Sequence, residues 1–174
     1  MPFRFEPALD KPTLLFKLHL ADAAATTRAG AAIAPELTGG SLVTLEGELA
    51  SGKTTLVRGV LRARGVDGPI KSPSYALVEH YPLSSIYFYH FDFYRFADPE
   101  EWESAGLADC FNARAVCLVE WPSRVAPLLP PADLTLTLTH AAQGGRDLEA
   151  TARGEVGERC IAALARAFPG PPPG

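Results

Sequence analysis

The sequence predicts an α/β protein, three-layered, with a mixed central sheet that includes antiparallel hairpins, and three observations carry that expectation. A short apolar strand, a glycine-rich loop and a helix follow one another over residues 41–64. A continuous apolar run at residues 115–119 reads as a strand buried on both faces. Two pairs of β-rich runs are each joined by turn residues, as hairpins are. In chain order, TLLFKLHL at 13–20 alternates late and suits a half-buried strand. Asp22 is placed to cap an alanine-rich helix that stops near Pro35. After the strand at 41–45, residues 54–64 make a helix that Gly65 can close. The runs at 75–81 and 86–93, joined by Pro82-Leu83-Ser84-Ser85, form the first hairpin. Asp98 caps a short helix with Pro99 in its first turn, ending near Gly106. The strand at 115–119 delivers Glu120 to its end. Leu134, Leu136 and Leu138 alternate with threonines and face residues 148–153 across Gln143-Gly144-Gly145, the second hairpin. A helix over 155–168 follows. With 174 residues the chain suits one domain, residues 1–167, and the Pro/Gly-rich tail at 168–174 is expected to be disordered.

Composition excludes several classes of function. The apolar and charged fractions, 47% and 21%, are those of a soluble globular chain rather than a membrane span or a disordered tail. A net charge of -4 argues against a general electrostatic grip on nucleic acid, which rests on Lys and Arg neutralising phosphates. Cys110, Cys117 and Cys160 show no CxxC spacing, so neither a disulfide framework nor a thiolate zinc site is indicated, and a reducing cytoplasm fits best. The four histidines are scattered and form no HExxH arrangement. Residues 1–12 carry charges and lack the apolar core of a secretion signal; the alanine-rich stretch is too short to cross a bilayer of about 30 Å.

Gly47-Glu48-Leu49-Ala50-Ser51-Gly52-Lys53-Thr54 matches GxxxxGK[ST] between an expected strand and an expected helix, the setting of a P-loop NTPase. Glycines let the backbone curl so that its N–H groups face phosphate oxygens, and the helix N-terminus adds about half a positive charge. Lys53 is expected to reach the β and γ phosphates and Thr54 to ligate Mg²⁺. Glu120, ending a buried strand, is either a second acid for Mg²⁺ or a surface carboxylate. In His90-Phe91-Asp92-Phe93-Tyr94-Arg95 the strand period puts His90, Asp92 and Tyr94 on one face, which either lines the nucleotide site or faces solvent at an edge. Ser72-Pro73-Ser74 is a hydroxyl-rich turn that either senses a terminal phosphate or is only a turn. Arg58 and Arg62 read as a solvated helix face.

Taken together, GELASGKTT at 47–55, SPSY at 72–75, HFDFYR at 90–95 and EWPSR at 120–124 resemble, in order and spacing, the TsaE family of bacterial ATPases in tRNA threonylcarbamoyladenosine (t6A) biosynthesis. The resemblance spans residues 41–131, about half of the chain. It implies a cytoplasmic, Mg²⁺-dependent ATPase working with TsaD and TsaB, which attach the threonylcarbamoyl group to adenosine in tRNA. In that picture the chain meets tRNA only through the complex, and hydrolysis resets the partners between rounds of transfer. Carried over by matching motif, the loop from Gly47 to Thr54, with Thr55 and Trp121, binds the nucleotide. Thr54 and Glu120 hold Mg²⁺, while Lys53, Asp92 and Glu120 form the catalytic set. Two positions depart from the family pattern. Ala50 replaces a glycine, at a cost of about 1–2 kcal/mol if left-handed dihedrals are needed there, and Ser74 replaces a threonine but keeps its hydroxyl.

Two other readings share the loop. A small-molecule kinase needs an arginine-bearing lid, and no arginine-rich segment stands out over residues 98–131. A nucleotide-gated binding module would use ATP to shape a partner surface without turnover. The Asn-Lys-x-Asp signature of guanine readers does not occur in the chain.

Overall fold

The computed structural model describes residues 13–170; the expectations for residues 1–12 and for the last four residues lie outside the described part. Among the described residues seven strands form one sheet: β1 (Leu14–Leu20), β2 (Leu42–Glu46), β3 (Val78–Leu83), β4 (Ile86–Asp92), β5 (Ala115–Glu120), β6 (Leu134–His140) and β7 (Arg146–Ala152). Their spatial order is β1-β7-β6-β2-β5-β4-β3. Parallel pairing joins β6, β2, β5 and β4 at the centre, and antiparallel pairing adds β7 and β1 on one side and β3 on the other. The mixed sheet is the one expected from the sequence.

Helices α1 (Ala23–Ile33), α2 (Lys53–Ala63) and α4 (Gly154–Ala167) cover one face, while the short α3 (Pro99–Ser104) lies on the other. Asp22 caps α1, its carboxylate accepting from the Ala25 N–H at 2.7 Å. Gly65 closes α2 in a left-handed conformation (φ 88°). Gly30 of α1 and Gly59 of α2 let the two helices touch backbone to backbone: a Cβ at Gly30 would strike the Leu56 carbonyl, and one at Gly59 the Thr27 carbonyl. That close approach holds α2, and with it the loop at its start, firmly on the sheet.

The larger core, including Val43, Leu45, Val116, Leu118 and Leu136, lies between the sheet and the three helices. A second, aromatic core of Phe91, Phe93, Phe96, Trp102 and Phe111 packs under α3 against β4 and β5. The outer layer is therefore partial. Thr135, Thr137 and Thr139 of β6, which alternate with the core leucines, sit on the face opposite the helices and are half-buried to exposed.

Both ends of β3 differ from expectation. The first hairpin begins at Val78, because residues 74–77 form a turn closed by the Leu77 N–H on the Pro73 carbonyl (2.8 Å), with Leu77 left-handed at φ 65°. Pro82 and Leu83 then belong to β3, paired with Tyr87 and Ile86, so the connection is only Ser84-Ser85. Proline is accepted there because β3 is an edge strand. Arg58 and Arg62 are not a free solvated face: Arg58 donates twice to the Ile70 carbonyl (3.2 Å each), and Arg62 donates to the carbonyls of Val66 (2.6 Å) and Gly68. They pin the segment that leaves α2. No described helix is long and apolar enough to cross a membrane.

Candidate functional site

The loop between β2 and α2 is shaped by its positive φ angles. Gly47 leaves β2 at φ 145°, and a Cβ there would collide with the Leu138 carbonyl and the Ser51 side chain, so no larger residue fits. Ala50 adopts φ 62°, so the departure from the family's glycine falls at a left-handed position and carries strain of about 1–2 kcal/mol. The Ser51 N–H returns to the Glu48 carbonyl at 3.2 Å, and Gly52, at φ 104°, opens α2.

Lys53 and Thr54 occupy the first turn of α2. Lys53 is only 4% exposed; its ammonium donates to the carbonyls of Gly47 and Glu48 at 2.7 Å each and lies 4.2 Å above the Trp121 ring. Burial pulls its pKa below the ordinary lysine value of 10.5, opposed by the negative charges of Glu120, Asp92 and Glu46. Glu46, last residue of β2, is shifted upward by burial, with the nearby Lys53 charge working the other way.

Parallel strand ends bring the acids under the loop. In the β4–β5 register Asp92 stands opposite Glu120, and Glu120 stands opposite Leu45 of β2. One oxygen of Glu120 accepts from the Thr54 hydroxyl at 2.8 Å and meets His90 Nε2 at 2.8 Å. Glu120 is 2% exposed and His90 fully buried, and His90 Nδ1 has no partner among the described residues. Asp92, 5% exposed, accepts from the Tyr94 N–H at 2.9 Å and from the Ser72 hydroxyl. Beyond the strands, the Phe93 N–H on the Glu120 carbonyl and the Trp121 N–H on the Leu45 carbonyl hold both turns, Trp121 being left-handed at φ 58°. Asp92, Glu120 and Trp121 line one cleft of about 650 Å³ with Leu49 through Thr55, Ser72, Ser74, Tyr94 and Arg95.

The structure therefore brings Lys53, Thr54, Asp92, Glu120 and Trp121 into a single cleft with the loop. The solvent-edge alternative for His90 and Asp92 is excluded, because β4 lies inside the sheet between β5 and β3 and both residues are buried. Tyr94 and Arg95 lie past the end of β4, so the strand period no longer separates them. Both line the cleft, Tyr94 against Trp121 (ring centroids 5.0 Å apart) and Arg95 over the exposed Tyr75 ring (4.4 Å). Ser72 bonds Asp92 at the cleft and is thus more than a passive turn residue. Arg146, at the start of β7, also donates to the loop's Ala50 and Ser51 carbonyls. No sequence pattern marks Arg146, since only the folded hairpin brings it there.

A strand, a GxxxxGKT loop, a helix beginning with that lysine and threonine, and an acid ending the neighbouring parallel strand define a P-loop NTPase fold. Within that class the assignment is narrower. Residues 20–148 match the family described as "Threonylcarbamoyl adenosine biosynthesis protein TsaE", and the chain belongs to the TsaE family. The Haemophilus influenzae "tRNA threonylcarbamoyladenosine biosynthesis protein TsaE" is 42% identical over 123 residues, covering 71% of this chain and 77% of the relative. The Bacillus subtilis protein so described is 34% identical over 127 residues, covering 73% and 79%. The crystal structure of Bacillus subtilis YdiB superposes with a TM-score of 0.73 at 25% identity, covering 90% of this chain and 98% of that one.

Proposed function

We propose that this chain is a cytoplasmic, Mg²⁺-dependent ATPase required for t6A modification of tRNA, acting with TsaB and TsaD type partners to permit repeated rounds of threonylcarbamoyl transfer. The observation that carries the reading is the meeting of the Thr54 hydroxyl, the Glu120 carboxylate and the Lys53 ammonium at the mouth of the loop, in a chain whose relatives are described by that modification. The residues fit Mg²⁺. Among the described residues no group of three or more His, Cys, Asp and Glu gathers as a cage, whereas Mg²⁺ is usually held by one or two protein oxygens, its other positions going to water and phosphate. Thr54 and Glu120 would supply that pair and, when bound, the ion would neutralise charge on the phosphates.

The chain's own residues do the rest by positioning and charge. Lys53 would turn from the Gly47 and Glu48 carbonyls to the β and γ phosphate oxygens, joined by the loop N–H groups and the N-terminus of α2. Asp92 is steadied by the Ser72 hydroxyl and the Tyr94 N–H, which leaves its carboxylate to orient the attacking water. Trp121 and Tyr94 wall the cleft and limit solvent near the phosphates. The test is phosphate release from ATP in Mg²⁺, with and without TsaB and TsaD type proteins. Slow release that these partners accelerate is expected. Intact ATP alongside nucleotide-dependent complex formation would replace the ATPase with a nucleotide-gated binding module.

The lowered pKa of Lys53 gives a pH dependence. An anion beside the ammonium raises its pKa, so binding takes up a proton once the free site has begun to lose it. ATP affinity is therefore expected to fall as pH rises through the free-site pKa, which lies below 10.5. Calorimetric titrations across alkaline pH, in buffers of different ionisation enthalpy, would register the proton uptake.

A further inference from the structure

The strained residue of the phosphate-binding loop is held by a side chain from near the far end of the chain. Arg146 opens β7, and its guanidinium uses all three of its nitrogens: Nε donates to the Ser51 carbonyl at 2.9 Å, Nη2 to the Ala50 carbonyl at 3.1 Å and Nη1 to the Gly145 carbonyl at 2.7 Å. No ion pair competes for it among the described residues. We infer that Arg146 is a positioning residue, clamping the loop in its anion-receiving shape and holding Ala50 in the left-handed conformation that alanine by itself avoids.

Three features make the clamp rigid. Arg146 is paired on both sides, opposite Leu20 of β1 and His140 of β6, so its backbone is fixed by the sheet. Gly145 before it is pressed against the Leu20 and Ala21 carbonyls, where a Cβ would collide. The bond to the Gly145 carbonyl then orients the guanidinium itself, whose planar fork is already preorganised for two adjacent acceptors. The same β6–β7 hairpin also closes on the other end of the loop, the Leu138 carbonyl lying against Gly47.

The effect on the loop follows from peptide geometry. In a planar trans peptide the N–H points opposite to the C=O. Tying the Ala50 and Ser51 carbonyls to Arg146 therefore turns the N–H groups of Ser51 and Gly52 away from it. The Ser51 N–H meets the Glu48 carbonyl inside the loop, and Gly52, which lines the cleft, presents its own at the start of α2. Without the guanidinium, Ala50 is free to relax to negative φ, rotating these peptides and reducing the fraction of molecules whose loop is ready for phosphate. Apparent affinity falls by that fraction. A glycine at this position has no such preference, so the clamp would matter less to it.

This inference rests on the nucleotide reading only for its binding arm. Amide hydrogen exchange of the nucleotide-free protein is expected to quicken across residues 48–53 in Arg146→Met, which keeps the apolar stem and removes the fork, while α2 beyond its first turn stays protected. Unchanged exchange in the loop overturns the clamp. In titrations with fluorescent ATP, Arg146→Met is expected to weaken affinity about 10-fold, the size of the left-handed penalty on alanine, and only about 2-fold when made together with Ala50→Gly. Equal losses in the two backgrounds overturn the link to Ala50. Arg146→Lys is expected to recover little, since one ammonium lacks the fork; full recovery would mean that charge alone is needed and would also overturn the clamp. If the unaltered protein binds no ATP, the nucleotide reading fails, and the exchange experiment still decides the clamp.

Discussion

Lys53→Ala is expected to abolish nucleotide binding, lowering ATP affinity by at least about 100-fold, because charge-assisted hydrogen bonds to two phosphates are lost together. Electrostatics deepen the loss. The ammonium stands among the negative charges of Glu120, Asp92 and Glu46, and without it Arg95 is left as the cation of the cleft lining, so an anion is attracted less. Some loss of loop order adds to this, since Lys53 also bonds the Gly47 and Glu48 carbonyls and lies over Trp121. Lys53→Met, which keeps the buried aliphatic stem but not the ammonium, separates packing from charge: it should recover part of the thermal stability and not affinity. Titration with labelled ATP, beside a melting curve, measures both. Near-normal binding by either variant would mean that the loop N–H groups and the start of α2 suffice to hold the phosphates.

Asp92→Asn should act on the other half of the reaction. The amide is isosteric and its oxygen can still accept from the Tyr94 N–H, so the turn after β4 is kept. What it loses is a negative charge able to orient water, and turnover is expected to fall about 100-fold or more. ATP affinity should hold or tighten slightly, because a carboxylate facing the phosphate cleft is removed. Single-turnover phosphate release and equilibrium binding on the same preparation separate the two effects. Weak binding by Asp92→Asn would assign the residue to holding the segment at Ser72, the structural part of its bonding.

How far the sequence carried the reading depended on how local each signal was. The strand, loop and helix around Lys53 were legible because their signals, an apolar run, spaced glycines and a closing Gly65, are adjacent in the chain. The start of β3 was not: Tyr75 favours a strand by type, yet it lies in a turn whose left-handed Leu77 has no sequence mark. The period of two gave His90 and Asp92 a common face but not its surroundings, since whether β4 is an edge or an interior strand depends on its pairing with both β5 and β3. Arg58 and Arg62 misled for a related reason. Their spacing is that of a solvated helix face, and only the path of the chain after α2 supplies the carbonyls they bind. Ala50 was legible as a departure with a cost conditional on a left-handed φ, which the structure shows, while the arginine answering it was not legible.

The pairing of β1 with β7 alone bears on how the protein is made. On the ribosome the phosphate loop and α2 emerge early, but β1 stays without a sheet partner until residues 146–152 have left the tunnel. Such long-range pairings close late because of the chain entropy they cost. The guanidinium bonded to Ala50 and Ser51 arrives on that same final strand. A nascent or truncated chain that lacks residues 146–152 therefore carries the GxxxxGKT motif without the hairpin that shapes it, and the loop is expected to take its final shape only once that strand has formed.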